Sequence, residues 1–152
     1  MYIQNNCWIL PGGACLEAPP DGYVGYVYKI LFPNRNGEMC YYIGKKLFEF
    51  TKKKKITKKV IKETKTRKRV ERVKIGSDWE NYWGSSQVLK DYIEERGGTH
   101  GFQRYIIELC KDKRSLTYRE VEALVKNDII FDEYSWNGQI LNKFYKQVKI
   151  KL

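Results

Sequence analysis

β-Branched and aromatic residues concentrate in two runs, Gly25-Tyr26-Val27-Tyr28-Lys29-Ile30 and Cys40-Tyr41-Tyr42-Ile43-Gly44. Between them lies Pro33-Asn34-Arg35-Asn36-Gly37, so the pattern predicts a β-hairpin from about Tyr23 to Phe50 with a turn longer than two residues. Strand side chains alternate in direction, which puts Val24, Tyr26 and Tyr28 on one face and Gly25 and Val27 on the other. On the second strand Tyr42 and Gly44 share a face, and the glycine leaves space for a close approach.

The remaining pattern fills in a domain. Residues 1–21 read as an N-terminal extension broken by Pro11-Gly12-Gly13 and Pro19-Pro20-Asp21-Gly22, with Trp8-Ile9-Leu10 as its one short strand candidate. Ser85 or Ser86 is placed to cap a helix whose apolar stripe is Val88, Leu89, Tyr92 and Ile93, and Gly97-Gly98 ends it. Phe102 to Leu109 predicts a buried strand, with Phe102, Arg104, Ile106 and Glu108 on one side and Tyr105, Ile107 and Leu109 on the other. Lys111 to Arg114 reads as a loop. Thr117-Tyr118-Arg119-Glu120 has capping-box spacing ahead of Val121, Leu124 and Val125. The order predicts an α+β fold, a small and mainly antiparallel three-stranded sheet flanked by helices. A chain of 152 residues is the size of one domain, taken as 22–145, followed by a basic tail at 146–152.

Charge changes this picture in one place. Lys52 to Lys74 carries thirteen cations against Glu63 and Glu71, a surplus of eleven that equals the formal net charge of the whole chain, +11. A neutral body therefore bears one basic insertion at about 51–76, which attracts polyanions more than an ordinary solvated charge run does. The step from Ile56 to Val60 suits a helix and that from Val73 to Ile75 a strand, so its conformation stays open, and it is expected to be mobile until something acidic binds. The four cysteines show no C-x-x-C pair, which argues against a zinc site. The N-terminus lacks the basic and apolar regions of a signal peptide and no run is long enough to cross a bilayer. An intracellular chain with reduced thiols and no membrane partner is therefore expected.

Val27-Tyr28 followed by Tyr42-Ile43-Gly44 resembles the paired signature of the GIY-YIG nucleases, with Tyr26 standing where the family has a glycine. Tyr82-Trp83-Gly84-Ser85-Ser86, the stop near Gly97 and Gly101-Phe102 resemble the phage-type, homing-endonuclease-like subgroup. The resemblance runs from about Tyr23 to Asn137. It implies metal-assisted hydrolysis of DNA phosphodiesters, with Mg²⁺ or Mn²⁺ as the cofactor and no small-molecule cofactor. Tyr28 and Tyr42 fall on the signature tyrosines, one of which helps position or deprotonate the attacking water. A free phenol has a pKa of about 10, so that role as a base needs nearby cations, and Lys45 and Lys46 follow the motif directly. Glu120 corresponds to the metal-binding carboxylate, yet it equally closes the capping box, and Glu122 is its rival. Asn137 falls near the family's closing asparagine and equally suits a turn before Gly138. The family's helical arginine has no counterpart where the insertion interrupts. Lys46 stands where relatives carry histidine or lysine, and Arg104 is placed either to reach phosphate or to pair with a carboxylate.

The leading expectation is a DNA endonuclease that grips the backbone through Lys45, Lys52, Lys53, Lys54, Lys55, Lys58, Lys59, Arg67, Lys68, Arg69 and Arg104, with the basic tail adding to it. The alternative is a non-catalytic nucleic-acid-binding module of the same fold, and a third reading is a scaffold for other acidic partners. A histidine-dependent ββα-metal nuclease is disfavoured, because His100 is the sole histidine and lies in the turn after Gly97-Gly98-Thr99.

Overall fold

The computed structural model describes residues 6–152, so the first five residues of the expected N-terminal extension lie outside the described residues. In chain order the elements are β1 (Trp8–Ile9), β2 (Gly25–Pro33), β3 (Met39–Leu47), β4 (Glu49–Lys55), α1 (Lys58–Thr64) and β5 (Val70–Gly76). A 3₁₀ turn at Trp79–Asn81 follows, then α2 (Gln87–Glu95), β6 (Gln103–Cys110), α3 (Lys113–Lys126), β7 (Gln139–Ile140) and β8 (Phe144–Tyr145).

The hairpin forms as its pattern demands, β2 against β3 with Tyr28 opposite Gly44. Its turn is held by Asn34, whose side-chain oxygen accepts from the backbone N–H groups of Asn36 and Glu38 at 2.9 Å each. The central sheet has four strands in the order β1-β6-β2-β3, not the three expected. The fourth is β1, which pairs parallel to β6 with Trp8 beside Arg104. The turn after it folds Cys15 back on Ile9 in an antiparallel bridge. This brings Cys7 and Cys15 into a disulfide, Cα to Cα 5.6 Å, correcting the expectation of reduced thiols there; Cys40 and Cys110 are buried and free.

Two further corrections concern register and capping. Opposite Val27/Tyr28 the β6 strand carries a bulge: Tyr28 faces Ile106, while Val27 faces Glu108. One extra residue reverses the alternation, so Glu108 leaves the side of Ile106 and Leu109 joins it. The third helix begins at Lys113, because Asp112 is its N-cap and accepts from the Ser115 N–H at 2.8 Å. The second half of the loop expected at Lys111–Arg114 is therefore helix, and Thr117 and Glu120 lie beyond the first turn, so Glu120 does not close a capping box.

Both faces of the sheet are covered. Tyr26, Tyr28, Ile30 and Phe32 pack with Trp8, Trp79, Leu89 of α2 and Trp136. Val27, Tyr41 and Ile43 pack on the other side with Leu116 and Leu124 of α3 and Ile129. Outside the sheet, β4 and β5 pair antiparallel and α1, capped by Thr57, crosses between them, so the basic segment forms an arm. The base of the arm is tied down where the Ser77 N–H donates to the Phe48 carbonyl at 2.8 Å and Phe48 packs edge-on against Trp79. After Gly138, β7 and β8 form a small hairpin, and Lys146 donates to the carbonyls of Ile129, Asp132 and Ser135. The tail then follows the body: the Lys151 N–H donates to the Glu133 carbonyl at 2.8 Å, and the Lys151 carbonyl accepts from the Trp136 indole at 3.1 Å.

Candidate active site

The cross-strand pair Tyr28 and Gly44 sits at the centre of the site. A methyl group built on Gly44 would lie 2.4 Å from the Tyr28 hydroxyl oxygen, so the phenol occupies the space a side chain would take. Trp8 supports the Tyr28 ring from one side at 5.2 Å, and Tyr82 meets it edge-on at 5.8 Å. Tyr42 is the neighbour along β3. Its hydroxyl is 3.1 Å from the Ser85 hydroxyl, and its ring lies against the backbone of Gly84, which has φ +93°. Burial pushes the Tyr28 phenol well up, and the phenols of Tyr82 and Tyr42 and the Glu120 carboxylate push it further. Burial raises Tyr42 as well. Ser85 opposes that shift, and Tyr82 and Glu120 add to it.

Glu120 reaches these tyrosines from α3 across the outer edge of β3. Its carboxyl is half-buried and raised by burial, while the charge and the backbone N–H of Lys45 hold it down. Glu122 points elsewhere: it pairs with Arg119 at 2.7 Å on the exposed side of the helix. The structure thus separates two carboxylates that helical periodicity left equivalent, and only Glu120 is near Tyr28 and Tyr42. The same edge explains Asn137. Its side chain accepts from the Ile43 N–H at 2.9 Å and donates to the Ile43 carbonyl at 2.7 Å, completing a ladder begun by Tyr134 and Trp136 on Tyr41. Asn137 therefore holds the signature strand in place and is neither in the cleft nor a simple turn residue.

A cleft of about 430 Å³ opens beside this cluster, lined by Lys45, Lys46, Asp78, Tyr82, Lys113 and Thr117 among others. Lys45 donates to the Thr117 hydroxyl at 2.8 Å. Lys46 is held by Asp78 at 2.6 Å and lies 3.9 Å from the centre of the Tyr82 ring. The expectation that these lysines depress a tyrosine is not met: Asp78 neutralises Lys46, Lys45 acts on Glu120, and burial keeps both phenols protonated at neutral pH. Lys45 and Lys46 line the open space, and the two neutral phenols and the Glu120 carboxyl lie behind them rather than in its wall. Tyr82, Ser85, Asp78 and Thr117 complete the arrangement. Tyr82 and Ser85 lie in a stretch that periodicity reads only as a turn and a cap, and nothing local marks Asp78 or Thr117.

Arg104 is not part of this site. It is 3% exposed, donates to the carbonyls of Asn6, Glu80 and Tyr82, and lies between the rings of Trp8 and Trp83 at 4.6 and 4.2 Å. Burial brings its pKa down to about 10. It reaches neither phosphate nor carboxylate, because tryptophans from distant segments enclose it. The arm places Lys52, Lys53, Lys54 and Lys55 on β4, Lys58 and Lys59 on α1, and Arg67, Lys68 and Arg69 on the return to β5, all exposed.

Among the described residues no three or more His, Cys, Asp or Glu side chains converge. One half-buried carboxylate beside an open cleft suits a hard divalent cation that takes its other oxygens from water and phosphate, and Glu120 fits that requirement. Among the described residues no helix is long and apolar enough to cross a membrane. In comparisons with known proteins, a family model described as "Putative endonuclease segE, GIY-YIG domain" matches residues 8–147. No curated protein and no solved structure matches the chain.

Proposed function

The chain belongs to the GIY-YIG endonuclease family, and from that premise we propose that it is a metal-dependent DNA endonuclease of the phage-type, homing-like subgroup. The observation that carries this reading is Glu120 held beside Lys45 of β3, within electrostatic reach of the signature tyrosines Tyr28 and Tyr42. Glu120, with water and a DNA phosphate, would hold Mg²⁺ or Mn²⁺, which supplies neutralisation of phosphate charge and a lowered pKa for water. The remaining work falls to the chain. Tyr28 and Tyr42 keep their protons at neutral pH and orient the attacking water and a phosphate oxygen by hydrogen bonds. Lys45 lines the approach, partly offsets the burial that raises the Glu120 carboxyl and attracts the substrate anion. Lys46 is poised beside Tyr82 and gains a second anionic partner when phosphate enters.

Cleavage of supercoiled plasmid with Mg²⁺ tests the reading. Wild type and Glu122→Gln should nick it, and Glu120→Gln should lose roughly 100-fold or more of the rate, in line with the removal of one acid–base or metal-binding group. Loss in Glu122→Gln instead would move the metal to the other carboxylate. Binding by all three proteins with no cutting of plasmid or branched DNA would leave a non-catalytic module.

A further inference from the structure

The arm is a two-stranded ribbon, and its register sorts its charges. Residues directly opposite in an antiparallel pair share a face. Glu49 lies opposite Gly76, Thr51 opposite Lys74, Lys53 opposite Arg72 and Lys55 opposite Val70, so one face carries Lys53, Lys55, Arg72 and Lys74, with Glu49 at its base. The other pairs Phe50 with Ile75, Lys52 with Val73 and Lys54 with Glu71, so it is partly apolar and partly neutralised. Among the described residues none of the four cations on the first face has an ion-pair partner. Lys53 against Arg72 is a like-charge pair that weakens the ladder by itself. An anion laid on this face removes that repulsion.

The face continues toward the active site. Lys74 and Thr51 line a cleft of about 390 Å³ at the base of the arm together with Phe50, Lys113 and the two acids Asp21 and Glu49. Phe50 and Lys113 also line the cleft that holds Lys45, Lys46 and Tyr82, so the two clefts adjoin. Lys113 and Arg114 occupy the first turn of α3, which has no acidic residue, and there the positive end of the helix dipole adds to their charge.

We propose that the Lys53/Lys55/Arg72/Lys74 face of the arm, continued by Lys113, is a track for the phosphate backbone of duplex DNA that leads into the active-site cleft. What happens at its end rests on the nuclease reading. The face carries no aromatic side chain, and binders of unpaired strands rely on such rings to stack bases. A surface dominated by cations, with one hydroxyl, Val70 at its tip and Glu49 at its base, contacts phosphates and reads no sequence. Lys52 and Lys54, no less basic in sequence, lie off the track.

The experiment is fluorescence anisotropy of a labelled duplex titrated with the full chain, without divalent metal, over a series of salt concentrations. Each phosphate contact contributes about 0.9 to the slope of log affinity against log salt. Lys53→Gln with Arg72→Gln should lower that slope by about 2, and Lys74→Gln with Lys113→Gln should do the same, since each pair removes two contacts. Lys52→Gln with Lys54→Gln should leave it unchanged. Thermal melting of each variant checks that the exposed substitutions leave the fold intact. Equal loss from the Lys52/Lys54 pair, no loss from the other two, or equally tight binding of the single strand overturns the proposal. Because no metal is present, binding is read separately from cutting: a chain that shows the face-dependent slope and never cleaves DNA would fail the nuclease reading and keep the track.

Discussion

At Gly44 a single added methyl group meets the Tyr28 hydroxyl oxygen at 2.4 Å, and the phenol has nowhere to go because Trp8 and Tyr82 enclose its ring. Gly44→Ala should therefore cost about 1–3 kcal/mol, the usual range for overpacking, and depress cleavage with it. Thermal melting and plasmid nicking on the same preparation check both. Glu120 behaves in the opposite way. Burial raises its carboxyl pKa, so the folded chain holds the proton more tightly than the unfolded one, and stability falls as pH rises from the ordinary carboxylate range through the raised value. Glu120→Gln should then melt higher than wild type at pH 8 and show no advantage at pH values below the ordinary carboxylate range. A melting series against pH reads this directly, and a Glu120→Gln protein less stable than wild type at pH 8 would overturn it. Period-two alternation put Tyr42 and Gly44 on one face of their strand, and the motif resemblance brought Tyr28 to them. Helical periodicity was not enough to choose between Glu120 and Glu122, because both flank the apolar stripe of α3 and the deciding neighbour, the edge of β3, is distant in sequence. Arg104 misled for the same reason: its own strand says which face it takes but not that two tryptophans wait there.

Among the elements, β1 is one of the shortest and has the most leverage. Two residues long, it lays Trp8 against Tyr26 and Tyr28 and sends its indole N–H to the Trp79 carbonyl at 2.7 Å. The Cys7–Cys15 bridge closes a short loop around it, and such a loop stabilises by about 2–3 kcal/mol. Reduction, or Cys15→Ser, should lower the melting temperature by roughly 4–12 °C for a chain of this size and slow cleavage by loosening the support under Tyr28. Comparing melts with and without a thiol reductant tests it. Local patterning predicted the hairpin, α2 and the strand β6 because each shows its own periodicity. It missed the start of α3, where Asp112 and Ser115 cap a turn whose apolar stripe has not yet begun. It also missed the β6 bulge, which is set by the pairing with β2 rather than by β6 alone.

For the whole molecule, the proposed track and the proposed nuclease site predict that grip and cutting separate: the first would depend on the cations of the arm, the second on Glu120 and the metal it would hold. A chelator should abolish cleavage and leave DNA binding intact, whereas raising salt should weaken both together, steeply, as released counterions are restored. Nicking assays and anisotropy run in parallel distinguish the two. The charge count made the arm visible in sequence, while its division into two unequal faces became legible only with the β4–β5 register, since adjacent lysines in the chain point to opposite sides. The coverage of the outer strand has a consequence of a different kind. On β3, Tyr134, Trp136 and the Asn137 amide take the outward backbone groups of Tyr41 and Ile43, and at the far side β1 offers only two residues with Cys15 folded over it. A row of free amides and carbonyls is a template for sheet growth between molecules, and along this part of β3 that row is covered. Concentrated copies therefore lack a route to cross-strand aggregation through this stretch of β3. Asn137→Ala, which bares Ile43, should be the substitution that first makes concentrated protein precipitate, a result that light scattering at rising concentration would reveal.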